Sequence, residues 1–368
     1  MSPLILGAGP AGCAAAIALA QAGVRPLLLD RDGEARDQLC GGFLSWRTAE
    51  QLRALGVEPA RLGARRIERL VLFAGRQETA LPLPAPAFGV SRRALDSALR
   101  QRALALGAAI ETDTARAVEG TTVIGRRRSW TGDALFLATG KHDVRGPRRP
   151  RAAHDPALGL RIRLPATAAR ERLLAGRIEL HLFAGGYAGI VLQEDGSANV
   201  CLAVRKSLLG ACRGDPVLLL DRLADHPAFA LRLGGDWSGQ PFETVGAVPY
   251  GWIARSTEPG LFRLGDQAAV IPSLAGEGIS IALASGAMAA RHWLERGADG
   301  AVVYQRAFAA RAAAPVRAAR VAWAIAERPL AARLGLAVAQ RVPPLLAGLM
   351  SASRIAADAP LAHPRGAP

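Results

Sequence analysis

The first thirty residues constrain the fold of this chain more strongly than any other segment. An apolar run, Leu4–Leu6, leads into a glycine-rich turn at residues 7–12, an alanine-rich helix, and a second apolar run that ends at Asp30. This order is typical of the dinucleotide-binding βαβ unit. Its three glycines serve, in turn, a tight turn, close approach of the backbone to a pyrophosphate, and close packing of the helix on the strand.

The same segment predicts how a dinucleotide would be held. The helix after the turn would direct free N–H groups and a positive dipole end at the phosphates. Asp30 lies 23 positions after Gly7, where an acid can bind the ribose hydroxyls of adenosine. A glycine-rich turn without a ligand is the alternative, but the strands, the helix and the acid all fit the binding unit. The residues expected in this adenine dinucleotide site are Gly7, Gly9, Pro10, Ala11, Gly12, Asp30 and Arg31.

Composition describes a folded chain that is long enough for two domains. The chain has 368 residues, half of them hydrophobic, and four cysteines without CxxC spacing. Reduced thiols in a cytoplasmic protein are the simple interpretation. The first strand begins too early to leave room for a signal peptide, and we expect no transmembrane segment because no long apolar stretch is free of charge. No metal is expected, because no His, Cys or Asp cluster has ligand spacing.

The net charge of +15 raises the question of a nucleic-acid partner. The basic residues are scattered along the chain, however, and aromatic residues make up only 5% of it, too few to serve as stacking platforms between them. An arginine-rich protein surface is the preferred interpretation, and we expect no nucleic acid to bind.

The order of apolar runs predicts an α/β fold with a doubly wound, Rossmann-like domain and an inserted antiparallel sheet. Glycine turns separate strand-like runs, which lie at residues 158–164, 177–183, 189–193 and 198–204. Helical periodicity is found at residues 46–56, 92–106, 276–296 and 301–326. The predicted units are a dinucleotide-binding domain of residues 1–150 and 255–300, a substrate domain of residues 151–254 with about 75–90, and C-terminal helices at residues 301–357. The tail from Asp358 is expected to fray.

A second motif lies late in the chain. A predicted strand ends at Gly265, and Asp266 after it can accept hydrogen bonds from a polyol. The turn Gly276–Gly278 opens a long helix whose N-terminus, at Ile279, would face an electron-rich ligand. A strand–turn–helix that binds nothing is the alternative. Together with the first motif, this arrangement suits FAD, with Asp266 on the ribityl chain and the helix dipole near the pyrimidine edge of the ring.

These motifs resemble a superfamily of FAD enzymes that includes para-hydroxybenzoate hydroxylase, flavin halogenases and geranylgeranyl reductases. The resemblance covers most of residues 1–290 and includes the segment SRRALD at residues 91–96. In that superfamily an arginine four places before the aspartate contacts FAD, and the matching residue is Arg92. An exposed charge at a helix start is the alternative for Arg92. The resemblance implies an FAD-dependent oxidoreductase whose flavin is reduced by NAD(P)H.

The segment Cys40-Gly41-Gly42 resembles a Cys-Gly-Gly segment that geranylgeranyl reductases carry beside the flavin ring. Gly41 and Gly42 would let the backbone approach the ring. Cys40 could pack on the flavin, tune it or donate a proton, and it is the candidate catalytic residue. A small buried residue in a glycine turn is the alternative for Cys40.

The chain departs from the superfamily pattern at two places. Where the hydroxylases carry an Asp-Gly motif, it has Ala138-Thr139-Gly140, a loop that can still pass near the FAD phosphates. Where the lipid reductases carry an aromatic-rich Tyr-x-Trp-x-Phe-Pro segment, only Tyr187 is kept. The first departure weakens the usual support for NAD(P)H, and the second weakens the expectation of a long isoprenoid lipid substrate.

The remaining aromatic residues predict an apolar substrate pocket between the inserted sheet and the flavin. Its expected residues are Tyr187, Tyr250, Trp252 and Pro272. Ordinary core packing is the alternative for them. The C-terminal helices, residues 316–350, mix leucine, alanine and arginine. Packing on the second domain is preferred for them, and peripheral contact with a membrane is the alternative.

Two reactions follow from the resemblance. O2-dependent hydroxylation of a small apolar or phenolic molecule is slightly favoured, because the hydroxylase branch is large and the lipid motif is lost. NAD(P)H-dependent reduction of a C=C bond is the alternative, favoured by Cys40-Gly41-Gly42 and by the missing Asp-Gly. A non-catalytic FAD-binding or membrane-associated protein is a third class. Both enzymatic readings rest on analogy at the level of the fold.

Overall fold

Two large sheets, a small sheet and a set of helices form the protein, represented by a computed structural model that describes residues 2–150 and 154–355. The strands are β1 (Leu4–Leu6), β2 (Leu27–Asp30), β3 (Phe43–Leu44), β4 (Arg65–Ala74), β5 (Gln77–Gly89), β6 (Ala109–Thr112), β7 (Ala117–Glu119), β8 (Thr122–Ile124), β9 (Ser129–Thr131), β10 (Leu135–Leu137), β11 (Ala157–Leu164), β12 (Gly176–Phe183), β13 (Gly186–Leu192), β14 (Ala198–Arg205), β15 (Phe242–Val248) and β16 (Leu261–Arg263). The α-helices are α1 (Pro10–Gln21), α2 (Trp46–Ala54), α3 (Arg92–Ala105), α4 (Ala168–Leu174), α5 (Lys206–Ala211), α6 (Pro216–Leu223), α7 (Pro227–Leu233), α8 (Gly278–Arg296), α9 (Gly300–Ala326), α10 (Pro329–Arg341) and α11 (Pro343–Ala352). The tail predicted to fray from Asp358 lies outside the described residues.

The first sheet contains five parallel strands in the order β16-β10-β1-β2-β6. Its central strands β1 and β10 are apolar and buried at every position, as expected for a parallel sheet covered on both faces. Ile5 and Phe136 face helices α1 and α8, whereas Leu4 and Leu135 face the small sheet β7-β8-β9. The order of the strands is that of the predicted doubly wound domain.

The second sheet contains eight strands in the order β15-β11-β14-β13-β12-β4-β5-β3. Strands β11 to β14 correspond to the four predicted runs of the insertion. The sheet extends further than predicted, because β4 pairs with β12 in parallel and joins the first third of the chain to the insertion. The boundary drawn from the sequence leaves β4 in the first domain, whereas its backbone hydrogen bonds place it in the large sheet.

The sequence predicts residues of about 75–90 only as a part of the substrate domain, without a strand pattern, whereas they contain strand β5. It carries Pro82, Pro84 and Pro86, which normally argue against a strand. The strand runs along the edge of the sheet for most of its length, since β3 covers only its last residues. A proline on an edge strand removes no ladder hydrogen bond when its nitrogen faces the free side, so the edge position reconciles the sequence with the structure.

The two faces of β12 meet different environments. Ile178, Leu180 and Leu182 point to one side, where the C-terminal helices pack. On the other side lies Glu179, fully buried, which accepts hydrogen bonds from Arg232 Nε at 2.8 Å and Arg232 Nη2 at 3.0 Å. Burial opposes its ionisation, but the hydrogen bonds from His181 and Arg232 leave the pKa of Glu179 below its usual value. This buried pair fixes α7 to the sheet.

Helices α1 and α8 cross at very short range. A Cβ atom at Gly286 of α8 would collide with the carbonyl oxygen of Ala11 and would lie 2.9 Å from the backbone nitrogen of Ala15 and 3.0 Å from the Cβ of Ala14. Glycine at position 286 of α8, facing alanines of α1, therefore allows the two backbones to approach so closely. The crossing fixes the positions of both helix N-termini relative to the parallel sheet.

No single helix within residues 2–150 and 154–355 is long and apolar enough to cross a membrane. Helices α10 and α11 meet the length and hydropathy criterion only when taken together, and the chain bends by 113° between them.

We expect Gly286→Ala to lower the free energy of unfolding by about 1–3 kcal/mol, since the added methyl group has no room at the crossing of α1 and α8. Gly210→Ala is the matched control, because Gly210 is also helical and a Cβ there would meet nothing within 4 Å. The control should be neutral or more stable by up to about 1 kcal/mol. Chemical denaturation of both variants measures the difference, and equal stabilities would contradict the close crossing.

Candidate active site

A cavity of about 1240 Å³ opens between the parallel sheet, the large sheet and the C-terminal helices. Single-ligand pockets measure about 300–1000 Å³, so this cavity has room for more than one ligand. Most residues predicted from the two motifs lie on its wall, namely Gly7, Gly9, Pro10, Ala11, Asp30, Arg31, Cys40, Gly41, Arg92, Ala138, Thr139, Gly140, Gly265, Asp266, Gly276, Gly278 and Ile279. The fold thus brings together segments that are far apart in the sequence.

The N-terminus of α1 forms one end of the cavity. Gly7 has a φ of +108°, and Gly9 is the N-cap of α1 without a side-chain cap, so the first N–H groups of the helix are open to a ligand. A Cβ at Gly9 would have only Arg92 Nη2 nearby, at 3.5 Å. The Arg92 guanidinium is held by Asp96 through hydrogen bonds of 2.9 and 2.7 Å. Backbone N–H groups and a fixed cation at one place are what a pyrophosphate requires.

Asp30 is fixed at the end of β2 by two backbone N–H groups. Ala8 N donates to its Oδ2 at 2.7 Å, and Asp32 N donates to its Oδ1 at 2.9 Å. Arg100, a buried residue that the sequence did not single out, forms an ion pair with Asp30 at 3.2 Å and donates to the carbonyl oxygen of Ala8 at 3.0 Å. These contacts join the glycine turn, β2 and α3 around the carboxylate.

The late motif forms the opposite wall. Gly265 N donates to Ser285 Oγ at 2.8 Å, which fixes the short turn that carries Asp266 next to α8. Gly276 has a left-handed φ of +67°, and the N-terminus of α8 that follows has no side-chain hydrogen bond at its cap. A Cβ at Gly278 would meet nothing within 4 Å, so the backbone there is open to the cavity. The wall therefore offers a second helix N-terminus and a carboxylate.

The Glu277–Arg354 pair supports this turn from behind, and no motif in the sequence indicates it. Arg354, beyond α11, forms an ion pair with the fully buried carboxylate of Glu277 and donates to the carbonyl oxygen of Ala275. Its guanidinium lies 4.7 Å from the ring centroid of Trp46. Burial raises the pKa of Glu277, and Arg354 opposes that shift. The pair joins the C-terminal end of the described chain to the turn before α8.

The loop that carries Cys40 is held by side chains from three other segments. Asn199 Nδ2 donates to the Cys40 carbonyl at 3.0 Å, and Lys141 Nζ donates to the Leu39 carbonyl at 2.8 Å. Arg161 donates to the carbonyl oxygen of Gln38 at 3.1 Å. A Cβ at Gly41 would meet nothing within 4 Å. The loop is thus a supported wall element that presents Cys40 and an open stretch of backbone to the cavity.

The loop after β10 crosses between the two motifs. Gln267 Nε2 donates to the Gly140 carbonyl at 2.9 Å, and Thr139 Oγ1 donates to the His142 carbonyl at 2.7 Å. Burial and the nearby Arg31 lower the pKa of His142. The missing Asp-Gly motif is therefore replaced by a loop that Gln267 fixes through the backbone.

Two tyrosines share one serine deeper in the cavity. Tyr187 Oη donates to Ser273 Oγ at 2.8 Å, and Tyr250 Oη lies 2.7 Å from the same atom. Burial raises the pKa of both phenols, so they remain protonated at neutral pH. Trp323 of α9 contacts both rings, with centroid distances of 5.7 Å. The three hydroxyl groups are the polar part of an otherwise apolar region.

Four predicted site residues do not line the cavity. Gly12 faces β1, where a Cβ would collide with the carbonyl oxygen of Gly7, in agreement with its predicted packing role. Gly42 packs against the side chain of Gln193 rather than facing the cavity, since a Cβ at residue 42 would be 2.9 Å from Gln193 Nε2. Trp252 and Pro272 do not line the cavity, whereas Val270, whose backbone nitrogen donates to the Trp252 carbonyl at 2.9 Å, does.

Away from the glycine motifs the cavity continues as an apolar arm. Its wall there is made by Leu70 and Leu72 of β4, Leu83 of β5, the leucine and isoleucine face of β12, and residues of α9, α10 and α11. Every lining residue that β4, β5, β12, α10 and α11 contribute is apolar. The strip from Ile178 to Leu182 alone is about 13 Å long at the rise of a β-strand. The arm suits an elongated apolar group.

Comparison with known proteins identifies the kind of ligand that this family binds. A family model described as an FAD binding domain matches residues 1–123. The menaquinone reductase of Mycobacterium tuberculosis is 30% identical over 315 residues, which cover 78% of this chain and 75% of that protein. Digeranylgeranylglycerophospholipid reductase 2 of Methanopyrus kandleri is 30% identical over 312 residues, with the same coverage of 78% and 75%.

Solved structures share the fold. A flavin-dependent brominase aligns with a TM-score of 0.76 at 14% identity, over 96% of this chain and 94% of that chain. A probable FAD-dependent monooxygenase from Pseudomonas aeruginosa aligns with a TM-score of 0.71 at 17% identity, over 91% and 99%. A geranylgeranyl bacteriochlorophyll reductase-like protein from Thermoplasma acidophilum aligns with a TM-score of 0.68 at 17% identity, over 95% and 98%.

The fold class and the resemblance predicted from the sequence are thereby confirmed, and FAD is the cofactor. The chain belongs to the superfamily of FAD-dependent oxidoreductases that contains the menaquinone and digeranylgeranylglycerophospholipid reductases.

Proposed function

We propose that this protein reduces a C=C bond in an elongated apolar, isoprenoid-like molecule, with NAD(P)H as the source of hydride. The apolar arm of the cavity carries the proposal. It offers a continuous hydrocarbon wall from β4 and β12 to α11, which is longer than a phenol or another single ring requires. Burial of an apolar chain along such a wall is favoured by the hydrophobic effect.

The named relatives support this direction. Menaquinone and digeranylgeranylglycerophospholipid both carry isoprenoid chains with C=C bonds, and both relatives are named reductases. The O2-dependent hydroxylation to which the sequence leans remains within the superfamily, since a probable monooxygenase has the same fold. That likeness concerns the fold alone, and the apolar lining of the cavity supports our choice.

The residues present fit FAD. Backbone at Gly9, Gly41 and Gly278 borders open space, so a flat or charged ligand can come close to it. We propose that the α1 N-terminus and Arg92 hold the pyrophosphate, Asp30 the adenosine ribose, and Asp266 the ribityl chain. The N-terminus of α8 would lie near the electron-accepting edge of the ring. The other residues proposed for this site are Gly7, Pro10, Ala11, Arg31, Cys40, Ala138, Thr139, Gly140, Gly265, Gly276 and Ile279.

Reduction of a C=C bond adds a hydride to one carbon and a proton to the other. FAD bound in the cavity supplies the hydride after it has been reduced by NAD(P)H. The chain must provide the proton and exclude water. We propose Cys40 Sγ as the proton donor, because Cys40 lines the same cavity as the FAD residues and the apolar arm. Tyr187, Tyr250 and Ser273 would orient the polar end of the substrate through their hydroxyl groups.

The experiment that tests the reaction begins with the purified, yellow holoprotein reduced without air. We expect its oxidised absorption spectrum to return when a polyprenyl lipid is added anaerobically, with a product two mass units heavier per reduced bond. Reoxidation by the lipid only in the presence of O2, with a product that has gained oxygen, would replace our proposal by hydroxylation. Parallel reduction with NADH and with NADPH identifies the hydride donor.

We expect Gly9→Val to abolish FAD binding while the protein still folds. Residue 9 has a φ of −84° and a ψ of −170°, which valine tolerates, but its side chain would occupy the space proposed for the pyrophosphate. Absorbance at the flavin bands after purification measures the bound FAD, and circular dichroism reports the fold. Gly235→Val, at an exposed loop glycine with nothing within 4 Å, is the control that should remain yellow. A fully loaded Gly9→Val protein would remove the glycine turn from the site.

We expect Cys40→Ala to lower the turnover number by about 100-fold, the lower end of the effect of a lost general acid, with FAD still bound. Cys40→Ser should recover part of this activity and shift its pH dependence. Cys201→Ser is the matched control, because Cys201 lines the same cavity on β14 and burial raises its pKa to about 12. Turnover equal to that of the unmodified protein in Cys40→Ala would return Cys40 to a packing role.

A further inference from the structure

The C-terminal helices expose an unusual number of large apolar side chains. Leu330, Leu334 and Leu345 are 75%, 69% and 61% exposed. We name this region the C-terminal apolar surface, which comprises Val321, Ile325, Leu330, Leu334, Val338, Val342 and Leu345. Single exposed apolar residues are normal on proteins, but a contiguous apolar surface usually binds a partner or a membrane.

Helix α10 is apolar on two faces. Ala332, Leu336 and Ala339 are buried toward the interior, whereas Leu330, Leu334 and Val338 follow one another at intervals of four residues on an exposed face. Packing against the sheet explains the first face and leaves the second largely exposed to solvent. Ile325 of α9 extends that second face, because it lies beside Gly335.

The apolar arm of the cavity reaches this surface. Ile325, Val338 and Leu345 are exposed and also line the cavity. The same three side chains therefore border both the solvent and the cavity, which places an opening of the arm within the C-terminal apolar surface. A molecule that entered there would meet hydrocarbon from the surface to the tyrosines.

The charge around this surface has one sign. Residues 300–355 contain eight arginines, one glutamate and no lysine or aspartate. The glutamate, Glu327, forms an ion pair with Arg205 at 2.8 Å. Arg317, Arg320, Arg328, Arg333 and Arg341 are exposed on α9 and α10 or at their ends. Basic residues beside an apolar helix face are the pattern of helices that lie on anionic membranes.

We propose that the C-terminal apolar surface docks on an anionic lipid bilayer, with the opening of the cavity turned toward the lipid. The leucines would enter the boundary of the hydrocarbon while the arginines face phosphate groups. A second copy of this chain fits less well, because like surfaces would bring two arginine-rich helix pairs together and would close the opening. The proposal extends the proposed function by naming the route of the apolar substrate, but binding to a bilayer does not depend on the reaction.

The test uses the FAD-loaded protein and vesicles without substrate. We expect the unmodified protein to float with vesicles that contain phosphatidylglycerol, to bind pure phosphatidylcholine vesicles at least tenfold more weakly, and to be released by salt. The double variant Leu330→Ser/Leu334→Ser should lose at least tenfold in affinity. Leu104→Ser/Leu231→Ser is the matched control, since these leucines are 49% and 60% exposed on α3 and α7, and it should bind as the unmodified protein does.

A second variant tests the charge. Arg328→Gln/Arg341→Gln should weaken binding to phosphatidylglycerol vesicles and reduce its dependence on salt, without an effect on FAD content. The proposal is overturned if the unmodified protein ignores anionic vesicles, or if the serine variant binds them equally well. A protein that does not float, and whose dimer is converted to monomer by the serine variant, would show that the surface is an interface between copies. Loss of vesicle binding with intact turnover on detergent-dispersed lipid would separate the docking from the reaction.

Discussion

The close crossing of α1 and α8 is the constraint on which the site depends. Each helix begins at the wall of the cavity, and the two N-termini can face one ligand only because Gly286 lets α8 approach the backbone of α1. A larger residue at the crossing would move one positive helix end away from the other. The early and late glycine motifs are therefore coupled through a packing contact that Ala11 of the first motif makes with Gly286 of α8.

The large sheet separates two different environments, and β12 shows how. Its alternating pattern sends Glu179 and His181 toward α7 and sends Ile178, Leu180 and Leu182 toward the cavity. A one-residue shift of this strand would place a carboxylate in the apolar arm. The buried pair of Glu179 and Arg232 makes such a shift costly, because the charge would lose its partner. The buried ion pair on one side of β12 thus fixes the register that keeps charged residues out of the apolar arm on the other side.

Sequence reasoning succeeds here where local chemistry determines the backbone. The turn at Gly7, the helix that follows it and the turn at Gly276 each require glycine for reasons visible within a few residues. Sequence reasoning misses residues whose role depends on contacts with distant parts of the chain. Arg100, Asn199 and Arg354 fix cavity loops from 92, 159 and 77 residues away, and nothing in their neighbouring sequence distinguishes them from polar residues of the surface. Strand β5 cannot be predicted from the sequence, because its prolines are tolerated only at the edge of a sheet. The edge position becomes visible only from the pairing of the strands.

The C-terminal helix α10 has features of both a packed helix and a helix that contacts a membrane. Packing and membrane contact were alternatives in the sequence, yet α10 has one apolar face against the sheet and a second one in solvent. A helix that only packs would carry polar residues on the outer face. A helix that only lies on a bilayer would not bury Leu336 beneath it. Both faces are accounted for if the helix is a wall of the cavity on one side and a contact with lipid on the other, with the opening between them.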